Sequence, residues 1–423
     1  MTTDDAPTNQ TEPDGIEPVS LFRHRQFVMV LAAAFVSNIG RWMQQVVLGI
    51  FAWELTESPT FTTQVVFAQF VPMLLLAVVG GTVADSIDRR KLLVGTQLWQ
   101  ALWALVLAAL VFDGDIGQAT LLGVVFMTGL AQAFFGPAFS AVLPSLAGKE
   151  NLAQAISVNS TQINASRVVG PAIGAWVAAQ YDVWLAFVIN GVTYLAIITA
   201  LIVVKLPPQR PATGTALERL TSGFRIARRA KQIRVPLAVM ATFALFCLPF
   251  VGLMPVLAEL NLGIDARSTR YGILFGVFGM GAVVGAANVS RLLRSLSAEF
   301  VVRTTLGGFA VSLAVLATLR SATFAYPVMF SVGMFYFTMP TALTTFMQLH
   351  LADEIRGRIM ALWMLSFGGV IPINNLLSGP AVEWSSVSAV LWFGALVAVL
   401  LGVFVRLEPG EVFGDILGSG DKK

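Results

Sequence analysis

The sequence predicts an all-α membrane protein whose twelve transmembrane helices form two pseudo-symmetric six-helix bundles. Three observations predict it. The 423 residues are 56% hydrophobic and only 12% charged, and the mean hydropathy is +0.76. Apolar runs of about 20 residues, each long enough to cross a ~30 Å hydrocarbon core, recur along the whole chain. These runs are continuously apolar and do not alternate, so they indicate helices and not the strands of a barrel.

The apolar runs divide into two groups of six. The first group covers about 27–53, 64–83, 92–112, 118–143, 155–179 and 184–204, and the second about 235–260, 270–290, 300–319, 323–347, 359–380 and 388–405. They predict one bundle over 23–205 and another over 235–407. Residues 1–22 lack the basic start of a secretory signal, so we expect a disordered cytoplasmic tail there. We expect a second cytoplasmic tail at 408–423.

Between the bundles, residues 206–234 form a linker rich in Arg and Lys. Leu217, Leu220 and Phe224 follow helical spacing, which predicts a basic amphipathic helix on the inner leaflet. Of the 27 Lys and Arg residues, only Arg267, Arg270 and Arg320 fall at the span ends opposite the linker, while Arg41 and Arg167 fall inside spans. The positive-inside rule therefore places both termini and the linker in the cytoplasm, with the chain in the inner membrane.

The two bundles carry weak signs of duplication. One shift of 205 residues places Glu54 on Glu259, Gly80 on Gly285, and Arg89 on Arg294. Transporters built from such repeats hold their substrate site near the middle of the membrane, between the halves that rock about it.

The turn 80–91 between the second and third spans combines glycines, Asp85 and three cations. It predicts a cytoplasmic gate that packs against other helices and holds one conformation of a transporter shut. Asp85 at a helix end can accept hydrogen bonds from a neighbouring helix N-terminus, and Arg89 and Arg90 can bridge to carboxylates of the second bundle. The alternative is that the cations only set topology.

These features resemble the major facilitator superfamily. Gly81, Asp85, Arg89 and Arg90 match its loop motif, while Ser86 and Asp88 depart from it. Four further segments resemble the branch that contains enterobactin exporters and macrolide efflux proteins: 134–138, 143–146, 167–174 and 354–358. The resemblance implies a twelve-helix transporter in which Asp85 stabilises the outward-facing state. It leaves the substrate open, because Phe139 stands where that branch often has an arginine.

Arg41 is the sharpest intramembrane feature. Asn38, Arg41 and Gln45 lie at i, i+3 and i+7, on one face of the first span. A cation at this depth needs a partner, yet no Asp or Glu falls in the middle of any span. Arg41 is therefore left with backbone carbonyls, amides, water or an anionic substrate group. It contacts the substrate or a gate, or else it is a structural hydrogen-bond hub.

Arg167 in the fifth span shares a face with Asn159 and leads to Gly170, Pro171 and Gly174. Proline removes a backbone donor and glycines let a neighbouring helix approach, so the last three predict close helix packing. Arg167 itself is assigned equally to a cavity or to packing.

Carboxylates and aromatic residues supply the remaining candidates. Glu54 and Glu259, at matching outer span ends, are the best proton carriers if the protein is an antiporter; the alternative is a solvated rim. Aromatic and sulfur side chains crowd the helices expected to line a cavity. The cavity candidates among them are Phe135, Phe139, Phe246, Met254 and Tyr336. Such a cavity suits bulky amphipathic molecules, although core packing is the commoner role of these residues.

The sequence contains no phosphate-binding Gly-x-x-x-x-Gly-Lys-Ser/Thr loop, so transport must use an ion or substrate gradient. We predict a secondary active transporter, not an enzyme, that exports a drug, siderophore or similar metabolite in exchange for protons. The alternatives are a nutrient importer and, in another class, a membrane enzyme or lipid scramblase. The expected partners are a small-molecule substrate, protons and membrane lipids. We expect a monomer with no nucleic-acid partner, cofactor or metal.

Overall fold

The computed structural model describes residues 21–76, 87–147, 151–206, 216–351 and 353–407, and these residues form α-helices joined by short turns. The helices before residue 207 are α1 (Arg25–Thr56), α2 (Pro59–Leu75), α3 (Arg89–Phe112), α4 (Gln118–Ala147), α5 (Leu152–Gln180) and α6 (Val183–Val203). The later helices are α7 (Ala216–Arg229), α8 (Lys231–Phe246), α9 (Pro249–Gly252), α10 (Met254–Leu262), α11 (Thr269–Ser295), α12 (Ala298–Thr318), α13 (Ala322–His350), α14 (Asp353–Phe367), α15 (Ile371–Trp384) and α16 (Val387–Phe404).

Ten helical segments among the described residues are long and apolar enough to cross a membrane. Two of the predicted spans are not among them. The described part of α2 is only 17 residues long. Helix α5 has sufficient length, but its first half is crowded with amides and hydroxyls between Asn159 and Arg167. A helix this polar is stable in lipid only with that face turned toward other helices or a water-filled cavity.

Two predicted spans are interrupted, which corrects the prediction of continuous helices there. The span at 235–260 is divided into α8, α9 and α10, and the span at 359–380 into α14 and α15. Pro249 has no N–H for the carbonyl of Leu245, so the helix ends before it. The side-chain nitrogen of Asn374 on α15 donates to the carbonyl oxygens of Ala244 at 2.8 Å and Leu245 at 3.0 Å. One break is therefore stabilised by a side chain of the other interrupted segment.

Helices pair in a pattern that recurs in the two halves of the chain. In the first half, α1 packs on α5, α2 on α4, and α3 on α6. In the second half, α8 packs on α14, α11 on α13, and α12 on α16. The halves meet where α2 contacts α15 and where α5 contacts α11. Helix α7 lies against α14 and α8, with Gly223 facing the backbone of Arg358.

Small residues allow the halves to approach at backbone distance. A Cβ added to Gly272 on α11 would lie 2.6 Å from the Cβ of Ala175 on α5, and one on Gly279 would lie 3.0 Å from a methyl group of Val168. Within the first half, a Cβ on Gly170 of α5 would lie 2.6 Å from Cβ of Trp42 and 2.7 Å from the carbonyl oxygen of Ile39 on α1. Helix α5 is therefore held tightly on both sides.

Replacing Gly170 by valine should separate α1 from α5 and destabilise the protein by about 1–3 kcal/mol, the usual range for overpacking. The measurement is the unfolding temperature in detergent. Gly123→Val is the matched control, because no heavy atom lies within 4 Å of a Cβ at Gly123. Equal unfolding temperatures for the two variants would contradict the close α1–α5 contact.

Candidate functional site

Two arginines meet at the centre of the molecule. Arg41, Arg167 and Phe337 lie midway along α1, α5 and α13, so side chains of both halves converge at one depth. The guanidinium carbon of Arg41 lies 5.6 Å from the ring centroid of Trp42, and that of Arg167 lies 5.4 Å from the same ring. The Arg167 carbon also lies 4.9 Å from the Phe337 ring. We call Arg41, Trp42, Arg167 and Phe337 the arginine cluster.

A chain of hydrogen bonds runs from Arg41 into α5. Arg41 Nη2 donates to Asn38 Oδ1 at 3.1 Å, and Asn38 Nδ2 donates to Gln162 Oε1 at 3.3 Å. Gln162 Nε2 in turn donates to Asn159 Oδ1 at 3.0 Å. Separately, Arg167 Nη1 donates to Asn164 Oδ1 at 3.2 Å. Each of these four amide oxygens thus already accepts a hydrogen bond.

The cluster has more donors than acceptors. A guanidinium carries five N–H groups, and each arginine here uses one of them on a protein side chain. Arg167 Nε and Trp42 Nε1 are buried without a hydrogen-bond partner. Within the described residues, the ion pairs join Arg267 to Glu54 and Arg303 to Glu299, and none involves Arg41 or Arg167. Among the described residues, the partners of these two cations are therefore amide oxygens and aromatic rings.

The backbone contact of α1 with α5 brings the two arginines onto one indole. Besides Gly170, Gly174 lies against Met43, where a Cβ would be 2.8 Å from the carbonyl oxygen. Pro171 has no N–H, so the carbonyl of Arg167, four residues earlier, lacks its helical donor. Glycine at 170 and 174 and proline at 171 thus act at the turn of α5 that carries Arg167.

The other predicted cavity residues are dispersed. Tyr336 is buried and lies next to the cluster, with its ring centroid 4.7 Å from that of Phe337. Phe135 and Phe139 stack on each other at 5.0 Å and pack against the core of the first half. Phe246 contacts Phe393 edge to face. Met254 is fully buried, and Gln45 is half-buried.

Polar contacts join the two halves at the end of the molecule where α1 ends, which we call the Glu54 end. Glu54 of the first half pairs with Arg267 of the second. In the reverse direction, Glu383 of the second half accepts from Ser58 Oγ at 2.7 Å and from the Thr60 backbone N–H at 3.2 Å. A carboxylate at the N-terminus of α2 is stabilised by the helix dipole. Between described residues, all ion pairs and hydrogen bonds linking the halves lie at this end.

The two coupling candidates share one acidic cavity of about 520 Å³ at the Glu54 end. Its wall includes Glu54, Glu57, Glu259 and Asp265. Glu259 Oε1 accepts from the backbone N–H of Ala266 at 3.1 Å. Glu54 Oε2 is buried with no hydrogen-bond donor. Among the residues with described structure, no group of three or more His, Cys, Asp or Glu is arranged to hold a metal ion.

Of the predicted gate, Gly81 and Asp85 lie outside the described residues. Arg90 Nη2 donates to the carbonyl oxygen of Val204 at 2.5 Å, so it ties α3 to the end of α6 within its own half. Arg89 is half-buried at the first position of α3. In this conformation the observed contact of Arg90 is not the predicted bridge to the second half.

Sequence reasoning missed several residues of the arginine cluster and of the Glu54 end. Trp42, Gln162 and Asn164 were not identified, although the density of amides before Arg167 was a usable signal. Neither Arg267 as the partner of Glu54 nor Glu383 as the partner of Ser58 could be found from spacing. Both are pairs of residues more than 200 positions apart that meet only after folding.

Known proteins similar to this chain are secretion and efflux transporters. Residues 16–413 match the family model described as transmembrane secretion effector. The staphyloferrin A transporter of Staphylococcus aureus is 25% identical over 82% of this chain and 87% of its own length. The multidrug efflux pump Tap of Mycolicibacterium fortuitum is 24% identical over 90% and 95%. The enterobactin exporter EntS of Escherichia coli is 26% identical over 69% and 70%.

Among solved structures, the nucleoside transporter NupG superimposes with a TM-score of 0.71 at 12% identity, over 89% of this chain and 97% of that one. A bacterial homologue of the lysosomal transporter Spinster, in an inward-facing and unoccupied conformation, gives 0.64 at 14% identity, over 90% and 94%. These likenesses show the same fold. The family match and the related transporters confirm the predicted resemblance to the major facilitator superfamily. The chain belongs to the transmembrane secretion effector family of major facilitator transporters, and it is a multi-pass membrane protein and not an enzyme.

Proposed function

We propose that this protein is a secondary active exporter that moves an amphipathic small molecule out of the cell by alternating access. The observation that carries the proposal is the arginine cluster. It lies midway through the molecule, and side chains of both halves form it. A site in that position can be exposed to either side of a membrane when the halves rock about it.

The helix pairing supports twelve spans in two six-helix bundles. Counting α8–α10 as one interrupted span and α14–α15 as another gives six spans on each side of α7. The α1–α5, α2–α4 and α3–α6 contacts then correspond to those of α8–α14, α11–α13 and α12–α16. The two halves are repeats of one arrangement, with α7 as the cytoplasmic linker. The excess of cations at the linker's end supports a cytoplasmic location of both termini.

The polar contacts between the halves support alternating access. Among the described residues, which exclude residues 77–86, they lie at the Glu54 end, on the outer side by the same charge rule. Contacts that exist in one state only bias the equilibrium toward that state. The Glu54–Arg267 and Glu383–Ser58 contacts therefore form an outer latch, and opening outward requires both to break. On this proposal Asp85 and Arg89 act in the complementary role at the cytoplasmic end.

The chemistry of the cluster supports an amphipathic cargo. Trp42 and Phe337 offer flat apolar faces beside two cations, whereas a sugar site would present many paired donors and acceptors. The direction follows the relatives, whose names specify efflux or export of a drug or a siderophore. The acidic cavity with Glu54 and Glu259 is the proposed entry for protons that drive export, because Glu54 Oε2 is buried and free to take a proton.

The first test is a screen of a deletion strain. We expect the strain to become sensitive to lipophilic compounds or to retain a secreted metabolite, and the wild-type gene to restore the original phenotype. The measurement is growth on a compound panel together with mass spectrometry of cells and medium. If the strain instead fails to take up a nutrient, the importer alternative is correct.

The outer latch gives a second prediction. Glu54→Gln combined with Glu383→Gln should favour the outward-open state about two- to thirtyfold, since each of these exposed contacts to a carboxylate contributes about 0.2–1 kcal/mol. The measurement is labelling of a cysteine placed at Val168, next to Gly279 at the contact of α5 with α11. Asp115→Asn is the control, because it removes an exposed carboxylate from the same end. Unchanged labelling in the double variant would contradict the proposal that these contacts form an outer latch.

Proton coupling gives a third prediction. In proteoliposomes, an opposing proton gradient should drive export of a compound identified in the screen. Glu54→Gln should abolish the effect of the proton gradient on export. It should leave the exchange of labelled for unlabelled compound intact when the pH is equal on both sides of the membrane, because this exchange requires no net proton movement. The same experiment with Glu259→Gln tests whether the second carboxylate also takes part in proton coupling. Wild-type flux that is insensitive to the gradient would rule out coupling to protons.

A further inference from the structure

We infer that the arginine cluster is an oxyanion-binding site, which takes a carboxylate or phenolate group attached to an aromatic or apolar ring. The inference rests on the proposed function in one respect only, namely that the bound ligand is the molecule that the protein transports. It specifies the chemical class that the proposed function leaves open.

The supply of hydrogen-bond partners is the first argument. Asn38, Asn159, Gln162 and Asn164 are the nearby amides, and each of their oxygens already accepts a bond. Among the described residues, each guanidinium donates to one side-chain oxygen, and the buried Trp42 Nε1 and Arg167 Nε have no hydrogen-bond partner. A neutral ligand with equal numbers of donors and acceptors would leave the excess of N–H donors in the cluster unsatisfied. An oxyanion brings only acceptors and can take two parallel N–H bonds from one guanidinium.

Charge is the second argument. Arg41 and Arg167 lie against the same indole ring, so two like charges share one site. No carboxylate among the described residues forms an ion pair with either. Structural arginines inside membrane proteins pair with acidic side chains or backbone carbonyls, and here the observed partners are one amide oxygen each. An anionic ligand would supply the counter-charge that no ion pair among the described residues gives these two arginines.

The aromatic rings define the rest of the ligand. The Trp42 ring contacts both guanidinium groups, and Phe337 contacts Arg167 from the second half. Tyr336 continues this surface. A planar apolar group beside the oxyanion can therefore stack on rings supplied by both halves while its charge contacts the guanidinium groups.

The experiment compares two probes of the same shape, 2-naphthoate and the neutral 2-naphthamide. The full-length protein is held in phosphatidylcholine nanodiscs, and binding is measured by calorimetry. We expect wild type to bind the carboxylate at least about tenfold more tightly, as a charge-assisted pair should. Arg41→Gln and Arg167→Gln should each reduce this preference, and the double variant should abolish it. Arg294→Gln, on the exposed face of α11, is the control and should retain it.

Two isosteric variants keep the test independent of folding defects. Asn38→Asp and Asn164→Asp place a carboxylate where Arg41 and Arg167 already contact an amide oxygen. Each supplies the missing counter-charge from within the protein, so each should weaken naphthoate binding and leave naphthamide binding unchanged. Equal affinity of the wild type for both probes, or a full preference in the Asn38→Asp/Asn164→Asp variant, would overturn the inference.

A lipid headgroup could present the same chemistry, and a second arm separates it from a soluble anion. Phosphatidylglycerol added to the nanodiscs should leave naphthoate affinity unchanged if the site takes a soluble ligand. If phosphatidylglycerol instead competes with naphthoate, and this competition disappears in the double arginine variant, the oxyanion site is assigned to lipid. Because binding is measured without transport, naphthoate preference with no export phenotype would reject only the proposed function. Export with no preference would reject only the oxyanion site.

Discussion

Two positive charges in the middle of a membrane bundle constrain the rest of the structure. A charged side chain at that depth is expensive and must face the protein interior. Arg41 and Arg167 satisfy this by lying against the same indole ring and by each donating to one amide. This requirement explains why α5 is so polar before Arg167. Its amides continue the hydrogen-bond network of α1, and they force that face of α5 toward the centre.

The polar face would have no effect if α1 and α5 were separated by bulky side chains. Gly170 and Gly174 bring the two backbones into contact beside Trp42 and Met43. The opposite side of α5 is held as closely by Gly272 and Gly279 of α11. One helix thus links the arginines of the first half to the second half, so any rocking of the halves moves the walls of the site. In membranes, where lipid is as apolar as leucine, such packing of small residues is a main source of helix association.

The parts predicted correctly from sequence depend on local pattern. Continuous apolar runs identified most spans, and the i, i+3 spacing placed Asn38 beside Arg41, where they hydrogen-bond. Trp42, four residues after Asn38, lies beside the same face of α1, but the stripe was identified by polar side chains and an indole was not counted. The breaks around Pro249 were missed because hydropathy averages over them, and because the compensating Asn374 comes from a distant segment. Partners such as Arg267 depend on the tertiary packing of two halves, which one unaligned sequence does not encode locally.

The outer latch and the arginine cluster are linked through charge. At the Glu54 end, each half presents a carboxylate to the other, so the closed end is held by interactions that water and protons can weaken. At the centre, the charge is of the opposite sign and forms no ion pair with any described residue. Closing both ends around an empty cluster would enclose two uncompensated cations in a low-dielectric space, which is strongly unfavourable. If the cargo is the anion that we infer, its binding removes that penalty. On this view, occupancy and not only contact geometry decides when the halves can pass through the occluded state, and a transporter with this centre is protected against cycling empty.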